Sequence, residues 1–150
     1  MITIPGQIYA KKNSQRIVKF GNRRAIIASA AYMRWEEQGL YHLKYEAKIE
    51  QWRGGYPVEL RLFFFRKTKQ KFDLSNMIEG VQDLLQKSGI IEDDSMRHVI
   101  PVFEYRLGIG YGWAVDKDNP RTEVRLVESI VARTKWMAGS GVNDGNYCKI

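Results

Sequence analysis

The sequence predicts a small α+β fold, a two-layer α/β arrangement in which two main helices cover a small mixed sheet in the order β-α-β-α-β-β. Three observations carry this. The chain has 150 residues, of which 44% are hydrophobic, enough for one domain with a single core and too few to suggest two. Val58 to Phe65 reads Val-Glu-Leu-Arg-Leu-Phe-Phe-Phe, an almost continuous apolar and β-favouring run. Leu74, Met77, Ile78, Val81, Leu84 and Leu85 then recur at the spacing of one helix face.

Taken in order, Thr3 to Tyr9 has strand character and leads into a cationic loop with Lys11, Lys12, Asn13, Arg16, Lys19, Arg23 and Arg24. Ser29 can cap a helix from about Ala30 to Lys48, because a serine oxygen satisfies amides that the first turn leaves open. Gly39 weakens the middle of that helix. Gly54-Gly55-Tyr56-Pro57 punctuates the chain before the strand Val58–Phe65. Phe63, Phe64 and Phe65 belong to the core, since a strand apolar on both faces is a buried strand. Its exit, Arg66 to Lys71, is basic and runs straight into Phe72-Asp73-Leu74-Ser75-Asn76. The second helix stops at Gly89. Asn76, Glu79 and Asp83 form a polar row beside its apolar stripe that could face a substrate. Glu92-Asp93-Asp94-Ser95 follows, then a strand from His98 to Leu107, a Gly-rich connection from Gly108 to Pro120, and a last strand from Glu123 to Val127. Residues 1–150 read as one domain, with 134–150 an irregular tail.

Charge and composition narrow the function. Lys and Arg number 24 against 17 Asp and Glu, a net +7, which favours a polyanionic partner through counterion release. No stretch approaches the length of a membrane span, the first residues carry no signal-peptide pattern, and no membrane partner is expected. The single cysteine, Cys148, excludes a disulfide framework and a thiolate metal cluster and fits a reducing, cytoplasmic setting. His42 and His98 lack metal-site spacing and read as surface or partly buried residues. Gly108 to Gly112 precedes no helix, which argues against a nucleotide-binding loop. Tyr111 and Trp113, in the same connection, are more exposed by pattern, and stacking on unpaired bases at a junction is the lesser of their two readings.

The carboxylates suggest metal chemistry. Asp73 stands at the start of the second helix and Asp93-Asp94 just beyond its end. A hard divalent cation needs only one or two carboxylates, with water and substrate phosphate completing its shell. For the two clusters to converge, the chain must double back after Gly89. Taken singly, Asp73 or Ser75 is an ordinary helix cap and Asp93-Asp94 a solvated turn. A basic strand exit feeding directly into carboxylates is what phosphoryl chemistry uses.

Asp73-Leu-Ser-Asn76, then Asp83-Leu-Leu, then Lys87-Ser-Gly-Ile-Ile-Glu-Asp-Asp94 resembles the RusA-type Holliday junction resolvases, whose core pattern is Asp-Leu-Asp-Asn, a helix with a later Asp, and a closing Asp-Asp. Lys11-Lys12-Asn13-Ser14 resembles the family's N-terminal Asn-containing loop, and the resemblance covers roughly residues 1 to 128. It implies a metal-dependent endodeoxyribonuclease of recombination and repair that cuts four-way junctions as a homodimer with Mg²⁺ or Mn²⁺, in the phage or prophage company this family keeps. By the same resemblance Asp73, Asp94 and Asp93 are catalytic, and Asp73 and Asp94 hold the metal, with Ser75 and Asp83 as further ligands. Lys11, Lys12, Asn13, Arg16, Lys67, Lys69, Lys71 and Asn76 are the expected DNA contacts. Two positions depart from the pattern. The family's second aspartate is Ser75 here, and its lysine three residues after the Asn is Glu79, a carboxylate that could substitute near the metal. The alternatives are a non-catalytic branched-DNA-binding protein on the same fold and a basic RNA-binding module; the latter explains the charge but not the carboxylates.

Overall fold

The computed structural model describes residues 1–9, 16–130 and 132. Nine strands are assigned among them: β1 (Ile2–Pro5), β2 (Arg16–Phe20), β3 (Arg23–Ile27), β4 (Val58–Arg66), β5 (Val99–Phe103), β6 (Tyr105–Arg106), β7 (Gly110–Tyr111), β8 (Trp113–Val115) and β9 (Arg121–Glu128), with helices α1 (Ala30–Tyr41) and α2 (Leu74–Lys87). The main sheet is mixed. It runs β1-β9-β4-β5, and β8 also pairs with β4. The α+β class read from the sequence is the one observed.

The apolar run is the central strand. β4 pairs antiparallel with β9 along its length and parallel with β5 over Val58–Leu62. Further along the same edge it pairs parallel with β8 over Phe64–Arg66. Leu60, Leu62 and Phe64 point to the side where Tyr32 and Trp35 of α1 and Met77, Val81, Leu84 and Leu85 of α2 complete the core. α2 fits the predicted stripe. Ser29 caps α1, its hydroxyl accepting the Tyr32 amide. Gly39, read as a weakness, has a packing role. A Cβ there would lie 2.8 Å from Leu84 Cδ2, so its absence lets α1 approach α2.

Several boundaries differ from the expectation. The first strand ends at Pro5 rather than Tyr9, where Gly6 turns the chain with φ +83°. α1 ends at Tyr41 and the chain continues as a π-helical turn, His42–Glu46, which buries Leu43. The second half of the expected cationic loop is the β2–β3 hairpin, with Lys19 opposite Arg24. Its turn is Gly21-Asn22, with Gly21 at φ +59°, a two-residue loop of the kind hairpins favour. The strand expected from His98 to Leu107 breaks at Glu104, whose amide goes to Leu62 O and whose carbonyl accepts from Gly112 N. The Gly-rich connection contains β7 and β8. The tail 134–150 lies outside the described residues.

The other face of β4 is closed by charge. Phe63 and Phe65 are buried there. The Arg106 guanidinium stands 4.3 Å from the Phe63 ring and that of Arg121 stands 3.7 Å from Phe65. Both cations bond Glu123, at 2.6 and 2.8 Å. Burial works to raise the Glu123 pKa, but the two guanidinium hydrogen bonds outweigh it and hold the carboxyl below its ordinary value. The phenylalanines are core, as expected, but an ionic lid covers them rather than a second apolar layer.

Candidate active site

β4 and β5 are parallel and joined by α2, so the chain leaves the C-terminal end of β4, runs back along α2, and re-enters the sheet at the N-terminal end. The two candidate carboxylate clusters therefore lie at opposite ends of this unit.

At the exit of β4, Arg66 turns inward. It is 6% exposed, its guanidinium sits 4.0 Å from the Phe72 ring, and Nη1 donates to Gln70 O at 2.6 Å. Burial lowers its pKa. This contact folds the segment from Lys67 to Lys71 into a compact loop, and Gln7 accepts the Lys67 amide at 2.8 Å. Lys67, Lys69 and Lys71 are exposed, as a phosphate-binding reading requires. Phe72 meets Trp113 of β8 edge to face, with ring centroids 5.3 Å apart, and that contact fixes the approach to Asp73.

Asp73 is the N-cap of α2. Its Oδ1 accepts the Ser75 amide at 3.0 Å, the Asn76 amide at 3.4 Å and the Ser75 hydroxyl at 2.6 Å. Ser75 thus lies directly on the carboxylate. Asn76 is only 7% exposed, so the structure does not present it to a phosphate backbone. Lys11, Lys12 and Asn13 lie outside the described residues. Arg16 opens β2, but its side chain also falls outside them.

The second cluster is at the far end of α2. Gln86 Nε2 donates to Asp93 Oδ1 at 3.4 Å, and His98 Nδ1 lies 3.4 Å from Asp93 Oδ2. His98 Nδ1 is also 3.0 Å from the Ser95 hydroxyl, and Nε2 is 3.9 Å from Glu92 Oε2. A hydrogen bond from Ser95 is the main cause that holds the Asp93 carboxyl below its ordinary value, against a smaller opposing effect of burial. Asp94, adjacent in sequence, is half-exposed. The amide of Glu92 bonds the Tyr56 hydroxyl at 3.2 Å, which ties this turn to the segment before β4. His98, read from sequence as a surface or partly buried residue, is partly buried and meets Glu92, Asp93 and Ser95 of the acidic turn.

One chain does not bring the clusters together. Asp73 caps the first turn of the 14-residue α2 and Asp93 is bonded to its last turn, a separation of about 20 Å at the helical rise. The chain does return to the neighbouring strand after Gly89, but at the end of β4 away from Asp73. Asp83 stands about 15 Å along the helix from Asp73 by the same rise. The expected ligand set of Asp73, Ser75, Asp83 and Asp94 is therefore not assembled within a single chain. Among the described residues, no three His, Cys, Asp or Glu side chains are grouped closely enough to hold a metal ion.

The polar row on α2 runs beside α1, with Asn76 buried and Glu79 and Asp83 half-exposed. The Tyr32 hydroxyl bonds Glu36 Oε1 at 3.2 Å. Burial, and then the charges of Glu36, Asp83 and Glu79, raise its pKa above the ordinary tyrosine value. Lys87 closes the group with a 2.6 Å ion pair to Glu36. Glu79 and Asp83 are near enough to Tyr32 for their charges to act on it.

No helix among the described residues is long and apolar enough to cross a membrane. No curated protein matched the chain in sequence. A family model described as Endodeoxyribonuclease RusA matches residues 5–127, most of the 150-residue chain, and with the Asp73 and Asp93-Asp94 clusters inside that span, the chain belongs to the RusA endodeoxyribonuclease family.

Proposed function

We propose that the protein is a metal-dependent, structure-selective endonuclease that resolves four-way (Holliday) DNA junctions as a homodimer, in recombination and repair, with each active site built from two copies of the chain. The observation that carries the two-chain site is the placement of Asp73 and Asp93-Asp94 at opposite ends of α2. A second copy running the other way would set the Asp73 end of one α2 beside the Asp94 end of the other, twice over by the two-fold axis. Two such sites suit a substrate in which two strands must be cut.

The donors have the right chemistry for Mg²⁺ or Mn²⁺. Asp73, Asp94 and Asp93 supply carboxylate oxygens and Ser75 a hydroxyl, an all-oxygen set that a hard cation accepts. When bound, the ion would activate water and offset charge on the leaving oxygen. The chain's own residues do the rest. Lys67, Lys69 and Lys71 grip phosphates beside Asp73. The helix N-terminus that Asp73 caps adds a favourable field for an anion. Ser95 and His98 hold Asp93 ionised and in place. Water loses a proton and bonds phosphorus, the bond from phosphorus to one bridging oxygen breaks, and that oxygen takes up a proton, so one new end carries a phosphate and the other a hydroxyl.

Ser75 favours a second reading, in which the loss of the family's second aspartate has left a branched-DNA-binding protein without cleavage. Cleavage of a labelled four-way junction against linear duplex, with Mg²⁺, Mn²⁺ or chelator, separates the two. The nuclease reading expects metal-dependent, junction-selective cutting. Tight junction binding with no cutting under any metal would replace it with the binding reading. The single cysteine fits a reducing, cytoplasmic setting, and a phage or prophage source fits the family.

A further inference from the structure

Between β5 and β8 the chain leaves the edge of β4 as a small hairpin, β6–β7, whose tip is apolar. Leu107 is 87% exposed, Ile109 54% and Tyr111 64%. Three neighbouring exposed apolar side chains on one short hairpin form a contiguous patch of the kind that marks an interaction site. The hairpin is also stiff. Glu104 N donates to Leu62 O, Gly112 N to Glu104 O, and Phe64 N to Gly112 O, at 3.1, 2.8 and 2.9 Å. Arg106 at its base is locked by Glu104 and Glu123 over Phe63. Gly110 has φ +153° and a Cβ there would lie 2.7 Å from Trp113 O; Gly112 has φ +70° and packs against Phe103. The backbone thus holds Leu107 and Ile109 out on a rigid support.

Charge decides what covers the tip. Lys69 of the basic loop lines one cleft together with Ile109, Tyr111, Trp113 and Val115. Trp113 in turn packs on Phe72, the residue before Asp73. An apolar and aromatic tip rimmed by a lysine, continuous with a basic loop that ends at the candidate carboxylate, suits a partner with flat apolar faces strung on phosphates. In linear duplex those faces are stacked and hidden. At a branch point they are available, and apolar wedges such as Leu and Ile are able to hold base steps apart.

We propose that the β6–β7 hairpin is a wedge that takes unstacked bases at the branch point of a DNA junction, with Leu107 and Ile109 inserted and Tyr111 stacked, while Lys69 holds the adjoining phosphate. This rests on the junction reading above and assigns to it the element that tells branched from linear DNA.

The test uses a four-way junction carrying 2-aminopurine beside the branch point, with chelator present so that cleavage plays no part. Wild-type protein should change the 2-aminopurine fluorescence on binding. The Leu107→Ser/Ile109→Ser and Tyr111→Ala proteins should lose that change and bind the junction about tenfold or more weaker, with linear-duplex affinity unaltered. Because these side chains are exposed, circular dichroism should match wild type. Variants that bind the junction and alter the fluorescence as wild type does would overturn the wedge. So would variants that sediment as a smaller species than wild type, since the tip would then belong to contact between copies. Cleavage is scored separately: a wedge without cleavage leaves the binding reading, and cleavage with unaffected tip variants leaves the nuclease without its wedge.

Discussion

Asp73 and Asp93 bind opposite ends of the same helix. The Asp73 carboxylate accepts the amides of Ser75 and Asn76 at the first turn of α2, while Asp93 accepts the Gln86 side chain at the last. Both carboxylates are thereby held by α2, and neither can reach the other. The proposed two-chain site follows from that separation of about 20 Å, since a metal–oxygen bond is near 2 Å.

Asp73 combines a structural and a proposed catalytic role, and two substitutions separate them. Asn caps a helix about as well as Asp, whereas Ala costs about 1 kcal/mol. Asp73→Asn should keep the thermal midpoint within a few degrees and lose junction cleavage by about a hundredfold or more. Asp73→Ala should lose both. Unfolding curves alongside single-turnover cleavage check the pair.

Ser75 touches the Asp73 carboxylate at 2.6 Å, so Ser75→Asp would place a second charge on the first. The two carboxylates repel without metal and share it when metal is present. The variant should need several-fold less Mg²⁺ for half-maximal cleavage, and added Mg²⁺ should raise its melting temperature more than that of wild type. Titrations of metal against rate and against melting temperature measure both.

Lys69 and Lys71 are exposed on the loop that leads to Asp73. If they contact phosphates, a Lys69→Gln/Lys71→Gln protein should bind junction and duplex weaker by a similar factor. The slope of log affinity against log salt should also shrink by about 2, one for each contact. A salt series of fluorescence-anisotropy titrations reads the slope.

Glu123 joins Arg106 and Arg121 over Phe63 and Phe65, and its side chain is 8% exposed. Glu123→Gln leaves two partly buried cations, which keep Glu104 and Asp116 as partners, with one weaker partner and should cost about 1–2 kcal/mol at neutral pH. The sign of the pH dependence follows from the depressed folded pKa. The carboxylate's contribution is present above the ordinary unfolded value of about 4.3 and is lost as pH falls through the lower folded value. Urea unfolding from pH 7 down to pH 3 should therefore show the gap between variant and wild type narrowing at the acid end.

Much of the fold was legible in sequence because its strongest elements have a clear period. Val58–Phe65 and the stripe from Leu74 to Leu85 fell where expected, and Ser29 and Gly89 marked helix boundaries through local backbone chemistry. The short pieces were hidden. β6, β7 and β8 have two or three residues each, too short for any alternation to register, and they are stabilised by pairing with one another and with β4 rather than by their own composition. The candidate carboxylates were readable as residues but not as a site. Whether Asp93-Asp94 returns to Asp73 depends on the parallel β4–α2–β5 crossover, which local patterning does not encode. Asn76, Glu79 and Asp83 share a polar row in sequence, yet Asn76 is buried while Glu79 and Asp83 stay half-exposed beside Tyr32, which packs against α2 at Gly80.

The central claim is that each active site takes Asp73 from one chain and Asp94 from another, and co-expression of Asp73→Asn with Asp94→Asn tests it most directly. Each variant alone should be inactive on a four-way junction. In a mixed dimer of the proposed kind one site carries both substitutions and the other carries neither, so the co-expressed protein should nick one strand of the junction in the presence of Mg²⁺. A mixed dimer, verified by two different affinity tags, that cuts no strand would contradict the two-chain site.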